Sequence, residues 1–290
     1  MGDRKTTENK HTTKKKSIRS ILLPIFVIGF IVCLVIVVKD KLTQKKAEDT
    51  YEDMQSSVTE QVTTETGTIE AVTDTEVTTE VTTEEVKVDK LAELGIEIPE
   101  KNLDWDALHA ENDDIYAWIY IPDTNIDYPI LQHKTEQDFY LDHNVDGSAG
   151  YPGCIYTQLY NSKDFTDFTT MIYGHDMLNG TMFQNLHNYE DSKFFAEHPY
   201  IYIYTPEKTF VYQVFAAVTF HGFNVLLSYD MNETHGRAAY INDIRDCHAM
   251  SDQYDDSITV NTESHIVSLS TCIGSKPNNR WIVSGVLLNE

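Results

Sequence analysis

A cysteine near the C-terminus has the setting of a nucleophile. Cys272 ends the β-branched, apolar run Ile266–Thr271 and is followed by turn-forming Gly, Ser, Pro and Asn residues. The run predicts a strand. A thiol at the end of a strand is held firmly by the backbone and yet faces a loop, which suits a nucleophile. By position alone, a cysteine there is more often a small buried hydrophobe.

Two other side chains could serve such a thiol. Arg280 begins the next predicted strand, eight residues after Cys272, and in a hairpin its guanidinium could reach over the sulfur. His175 follows the hydrophobic strand Ile172–Gly174 and is the strongest candidate base among the 11 histidines, with His143 next. From residue type alone, a surface ion pair for the arginine and a structural role for the histidine are the commoner alternatives.

Other chemistries lack their motifs. The sequence contains no H-E-x-x-H, no P-loop and no G-x-S-x-G, which disfavours zinc peptidases, nucleotide hydrolases and α/β-hydrolases. The four cysteines include no C-x-x-C pair, so the sequence predicts no metal site. A disulfide between Cys154 and Cys247 is compatible with the sequence and would leave Cys272 free.

The N-terminal region predicts a membrane anchor. Residues 21–38 form an uncharged apolar run of 18 residues, long enough to span roughly 27 Å as a helix. Seven Lys and Arg residues precede it, which places the tail, residues 1–20, in the cytoplasm and the rest of the chain outside. A cleaved signal peptide is disfavoured because the run exceeds the usual apolar region of about 7–15 residues.

The next segment, residues 39–88, predicts a disordered stalk. Thr and Glu dominate it, and it cannot bury enough apolar surface to offset its ordering entropy. Beyond residue 46 the chain carries 11 basic and 43 acidic residues. Such an acidic surface repels phosphate backbones, so we expect no nucleic-acid partner.

The remaining residues, 89–290, predict one mostly β domain. Short helices are expected at 89–95 and 104–109, and further helices at 181–188, 192–197 and 233–250. Strands are expected at 115–121, 126–131, 154–157, 170–173, 200–204, 210–220, 257–260, 265–271 and 281–288. About eight or nine short strands with few helices favour a closed or nearly closed β-barrel, because closure removes exposed edges.

Several sequence blocks resemble the class B sortases. Ser268–Cys272 resembles the sortase signature T-L-x-T-C, and Arg280 follows at a spacing known in that family. Tyr116–Ile130 is similar to the class B segment G-W-I-x-I-P-x-T-x-I-D-Y-P-V, and Ile172–Met177 to I-Y-G-H-N-M. Phe195–Lys208 is similar as well. The resemblance covers roughly residues 89–290, with its blocks in the family's order.

The resemblance implies a sortase-like closed β-barrel and a cysteine transpeptidase. Cys272 would attack the carbonyl of a threonine in a C-terminal sorting motif. His175 would carry the protons, and Arg280 would bind the oxyanion. Ser270 and Thr271 are expected near the bound peptide. No metal or cofactor is required, since the thioester retains the acyl energy.

The implied partners are surface proteins or pilins that bear a sorting motif, and an amine from a peptidoglycan precursor or a pilin lysine. The implied location is the outer face of a Gram-positive membrane. The segment Ile273–Asn279 lacks the acidic and aromatic residues that class B members commonly carry there. Two alternatives stay open: a cysteine peptidase that uses water as the acceptor, and an inactive anchored binding domain of the same fold.

Overall fold

A computed structural model describes residues 18–60 and 90–289 of the chain. The predicted tail up to residue 17 and the predicted stalk from residue 61 lie outside these residues. The described residues fall into two units, one ending at Leu42 and one beginning at Thr43. Helix α1, Ile18–Glu60, contributes to both.

The first unit is the apolar part of α1. The helical segment Leu23–Val58 contains an 18-residue window with mean hydropathy 2.5, none of which is buried. By length and composition it could cross a membrane, and the window's apolar stretch coincides with the predicted anchor, residues 21–38.

The remainder of α1 corrects the prediction of a stalk that is disordered from residue 39. Residues 39–60 are helical, and four side chains at helical spacing are buried: Ala47, Tyr51, Met54 and Val58. The Tyr51 hydroxyl donates to the Gly153 carbonyl at 2.8 Å. The Thr and Glu content obscured this apolar stripe, which orders the segment by packing on the domain.

The second unit continues with two short helices, both predicted, α2 (Lys90–Leu94) and α3 (Trp105–Glu111). Asp104 caps α3 by accepting a hydrogen bond from the Ala107 amide at 3.0 Å. Nine strands follow: β1 (Ile115–Tyr120), β2 (Asp127–Leu131), β3 (Ile155–Thr157), β4 (Thr169–Tyr173), β5 (Tyr200–Tyr204), β6 (Thr209–His221), β7 (Gln253–Tyr254), β8 (Ile266–Cys272) and β9 (Asn279–Leu287).

Eight of these strands close into a barrel, which confirms the predicted fold class. The order is β5-β1-β2-β3-β4-β8-β9-β6, and β6 pairs back onto β5. β2 with β3 and β4 with β8 are parallel pairs, while the other neighbours are antiparallel. β7 adds to β6 outside the ring. Closure gives every barrel strand a hydrogen-bonded neighbour on both sides.

The inserted helices cover the barrel and form a second core. They are the 3-10 helices Phe139–Leu141 and Gln184–Glu190, and α4 (Ser192–Glu197), α5 (Val225–Ser228) and α6 (Thr234–Arg245). One buried cluster lies inside the barrel around Trp118 and Trp281. The other packs α6 onto the outer face of β6, β8 and β9, with Tyr240 and Ile244 fully buried.

One predicted strand is wrong, and the disulfide that the sequence left open does not form. Ser257–Val260 is not a strand: the Asp255 carboxylate accepts from the Ser257 amide at 2.9 Å, and this turn competes with extended pairing. Cys154 and Cys247 form no disulfide. Cys154 is buried in the barrel core, whereas Cys247 follows α6 and packs against the second cluster.

Candidate active site

The candidate nucleophile ends an interior strand of the barrel. β8 is paired with β4 on one side and β9 on the other, and its residues are buried up to the last one. Cys272, the last residue, is exposed. Its Cα partner across the hairpin is Arg280, so the predicted juxtaposition of these two residues in neighbouring strands is confirmed.

The parallel pairing of β4 with β8 brings His175 to the same edge, because the carboxyl ends of parallel strands meet there. Tyr173 pairs with Ser270. The Gly174 amide then donates to the Ser270 carbonyl at 3.2 Å, and the Thr271 hydroxyl donates to the Gly174 carbonyl at 2.8 Å. Both the amide and the carbonyl of Gly174, the residue before His175, are therefore hydrogen-bonded to β8.

A glycine is required at position 174 by packing. A Cβ atom there would lie 2.5 Å from Cδ1 of Ile155 and 2.7 Å from the ring of Phe183. Both neighbours are buried in the barrel core. The close approach of β3, β4 and the segment after His175 depends on this missing side chain.

The His175 ring is held by the 3-10 segment and the loop that follows it. Its Nε2 lies 2.6 Å from the Leu141 carbonyl oxygen, and its ring meets the edge of Tyr151 with centroids 5.0 Å apart. Because a carbonyl oxygen only accepts, Nε2 carries a hydrogen. Nδ1 is therefore the nitrogen that can gain or lose a proton while this contact persists.

His143, the second candidate base, belongs to the packing of the same loop. Its Nδ1 lies 2.9 Å from the Phe139 carbonyl and 2.7 Å from the Asp142 carboxylate, and its ring stacks on Phe139 at 4.0 Å. It does not line the cleft described next. Between the two histidines, the geometry favours His175.

Arg280 lies at the mouth of the β8–β9 hairpin. Its Nη1 donates to the carbonyl oxygens of Pro277 at 3.1 Å and Asn279 at 2.9 Å. On its other side β9 pairs with β6, where Arg280 faces Phe220. The guanidinium is thus tied to its own turn, and its remaining N–H groups stay available as donors.

All five predicted site residues line one cleft of about 290 Å³: His175, Ser270, Thr271, Cys272 and Arg280. The segment from His221 to Val225, from the end of β6 to the start of α5, also lines it. Ser270 and Thr271 are 4% and 2% exposed, and the Thr271 hydroxyl is occupied by Gly174. A role for these two in holding a peptide stays a prediction.

Sequence reasoning missed four residues at or next to the site. Leu141 and Tyr151, which orient His175, are an ordinary carbonyl and an exposed ring with no motif to mark them. His187 lies 3.0 Å from the carbonyl oxygen of Cys272, through a contact that joins residues 85 positions apart. Asn224, which caps α5 by accepting from the Leu226 amide, was detectable as a cap signal.

Comparison with known proteins places this fold and cleft in a family. The sequence matches the family model of the sortase domain over residues 119–288. The sortase B of Listeria monocytogenes is 30% identical over 181 residues, which are 62% of this chain and 72% of that protein. The chain belongs to the sortase family.

Solved structures that resemble it include class B sortases. Sortase B of Clostridium perfringens superposes with a TM-score of 0.57 at 25% identity, covering 63% of this chain and 99% of that one. A Streptococcus pyogenes class B sortase involved in pilus biogenesis gives 0.55 at 30% identity, covering 64% and 98%.

Proposed function

We propose that this protein is a membrane-anchored cysteine transpeptidase that cleaves a C-terminal sorting motif after threonine and joins the acyl product to an amine. The observation that carries the proposal is the single cleft shared by Cys272, His175 and Arg280. These residue types match the needs of acyl transfer: a nucleophile, a proton carrier and an oxyanion donor. Membership of the sortase family supports the same reaction class.

In the first half-reaction, the Cys272 thiolate attacks the threonine carbonyl carbon. An ordinary thiol has a pKa of about 8.5, so only a few per cent is thiolate at neutral pH without assistance. The carbonyl π pair moves onto oxygen, and the guanidinium of Arg280 donates to that oxyanion. Losing one such donor typically costs about 3 kcal/mol, or roughly 10²–10³ in rate.

His175 then gives a proton to the departing amine, and the carbon–nitrogen bond breaks to leave a thioester on Cys272. In the second half-reaction an incoming amine loses a proton to His175 and attacks the thioester. The new amide forms as the carbon–sulfur bond breaks and the thiolate returns. The thioester preserves the acyl energy between the halves, so the cycle consumes no nucleotide.

The proposed substrates are surface proteins or pilins that carry a sorting motif, with a peptidoglycan precursor or a pilin lysine as the amine. A similar Streptococcus pyogenes sortase is involved in pilus biogenesis. The apolar segment of α1 would anchor the chain. The seven basic residues before it favour a cytoplasmic N-terminus and an extracellular catalytic domain.

The test uses the full chain in detergent micelles with sorting-motif peptides and an added amine. We expect a thioacyl adduct on Cys272 by mass spectrometry and an amide product that depends on the amine. Cys272→Ala should form no adduct, and His175→Ala should lose turnover. Cys247→Ala is the matched control, since it removes another accessible thiol, and it should behave as wild type.

Two outcomes would contradict the proposal. Full acylation of the Cys272→Ala chain would show that Cys272 is not the nucleophile. If the peptide is hydrolysed and no product depends on the added amine, the protein is instead a cysteine peptidase that uses water as the acceptor.

A further inference from the structure

A second histidine contacts the main chain of Cys272 and does not line the cleft. His187 belongs to the 3-10 helix Gln184–Glu190, and its side chain is 18% exposed. The ring stacks on the buried indole of Trp281 with centroids 6.0 Å apart and an interplanar angle of 21°. That indole donates from Nε1 to the Leu186 carbonyl at 2.8 Å, so the helix is fixed against β9.

Both ring nitrogens of His187 face groups that only accept hydrogen bonds. Nδ1 lies 2.6 Å from Oε1 of Glu190, and Nε2 lies 3.0 Å from the main-chain oxygen of Cys272. A carboxylate oxygen of Asp176 is 3.8 Å from Nε2. Because a carbonyl oxygen only accepts, the geometry fits an Nε2–H group that donates to the main-chain oxygen of Cys272.

The position of that peptide matters because the pairing of β8 with β4 has already ended. The last paired residue on the β4 side is Ser270, two positions before Cys272. On that flank the strand end has no partner strand, and the His187 donor holds its carbonyl oxygen. The orientation of this peptide group sets the direction of the Cα–Cβ bond and hence the place of the sulfur.

We propose that His187 is a positioning residue for the transpeptidation, which holds the main-chain oxygen of Cys272 through Nε2 while Glu190 holds Nδ1. The inference rests on the proposed function, because it takes Cys272 to be the nucleophile. His187 touches no substrate. It acts by keeping the thiolate aligned with His175 and Arg280, and such alignment is worth large factors in rate.

Two isosteric substitutions separate the two nitrogens. The amide nitrogen of Gln matches Nε2 in reach, so His187→Gln can still donate to Cys272. The amide nitrogen of Asn matches Nδ1, so His187→Asn can donate to Glu190 but not to Cys272. We expect His187→Asn to lower kcat about tenfold, the effect of losing one hydrogen bond, while His187→Gln stays within about threefold of wild type.

Two readouts distinguish positioning from damage to the fold or the thiol. KM for the sorting peptide should change by less than about twofold in both variants, because no substrate contact is removed. Alkylation of Cys272 by iodoacetamide, followed by mass spectrometry, should proceed at the wild-type rate, since a small reagent needs no alignment. His198→Asn is the matched control: this ring also stacks on an aromatic side chain and faces a carboxylate, with Phe194 at 3.9 Å and Asp123 at 3.2 Å.

Equal kcat values for His187→Asn and His187→Gln would overturn the inference, whether both are active or both impaired. If the Asn variant does not fold, His187→Phe takes its place, because it keeps the ring on Trp281 and has no donor. A Cys272→Ala chain that still turns over would refute the proposed function instead, so the two failures are distinguishable.

Discussion

At the scale of single residues, the site depends on Gly174, which has no side chain, as much as on Cys272, His175 and Arg280. Gly174 allows β4 to approach β3 and the Phe183 ring closely enough for His175 to reach the end of β8. The hydrogen bonds of Gly174 to Ser270 and Thr271 then fix the histidine backbone relative to the cysteine strand. Gly174 has no functional group, yet it allows both the close packing of the core and the placement of His175.

Gly174→Ala tests this dependence. The added methyl overlaps two buried side chains, and overpacking of this kind typically costs about 1–3 kcal/mol. We expect the free energy of unfolding in urea to fall by that amount, and thioester formation to slow because His175 is displaced. Gly274→Ala is the control, since a Cβ there meets open space. Unchanged stability and acylation in the Gly174 variant would show that the strands have room to relax.

The residues of the site were largely predictable, but their supports were not. A strand ending on Cys272 and a second strand beginning at Arg280 are visible as local patterns, and a hairpin of that length can place the two opposite one another. The contact of His187 with Cys272 joins a 3-10 helix to a strand end, and its two parts share no local pattern. Contacts of this kind depend on the tertiary packing.

At the scale of elements, helix α1 does more than its composition indicates. Its residues from Thr43 onward pack on the loop that carries Gly153 and Cys154. The same loop presents Tyr151 to His175. The Lys46 ammonium also pairs with Asp146 at 2.7 Å, and this contact lowers the pKa of the Asp146 carboxyl to about 2. The helix thus stabilises the loop that contacts the His175 imidazole.

Substitution of Tyr51 measures how much the contact between α1 and this loop contributes to the free energy of unfolding. Tyr51→Phe removes a buried hydrogen bond to the Gly153 carbonyl, which should lower the free energy of unfolding by about 1–2 kcal/mol. Tyr51→Ala also leaves a cavity and should cost about 3–5 kcal/mol. Tyr160→Phe changes an exposed ring and serves as the control. If urea unfolding gave the same midpoint for all three, α1 would contribute no stability to the domain.

The apolar spacing in α1 was readable from the sequence. Ala47, Tyr51, Met54 and Val58 follow a helical period, yet the surrounding Thr and Glu residues favour disorder on composition alone. The barrel strands were easier because aromatic and β-branched residues dominate them. The false strand at 257–260 shows the reverse case, where a local turn at Asp255 competes with a short β-favouring run.

At the scale of the whole molecule, barrel closure buries many tyrosines. Burial raises the pKa of Tyr240 to about 12, and it raises the pKa values of Tyr116, Tyr189 and Tyr212 further. In the unfolded chain these phenols ionise near pH 10. Above that pH the unfolded state therefore binds fewer protons than the folded state, and the free energy of unfolding falls as pH rises.

We therefore expect the contribution of these phenols to be constant below about pH 10 and to be lost progressively as the pH rises above that value towards their folded-state pKa values. The tyrosinate absorbance of the buried phenols should appear in one cooperative step together with loss of the tryptophan signal. Tyr212→Phe should reduce the slope of stability against pH by about 1.4 kcal/mol per unit above pH 10. Gradual ionisation of all phenols with the fold intact would contradict this expectation.

The double pairing of β8 has a consequence for diversification of the protein. The seven residues between Cys272 and Arg280 connect two strand ends whose spacing is already set by the ladders on either side. This turn can therefore be exchanged for another of equal length while the Cα atoms of Cys272 and Arg280 keep their separation. If the proposed function holds, turns grafted from relatives with other preferences should change the choice of peptide without moving the backbone of these two residues.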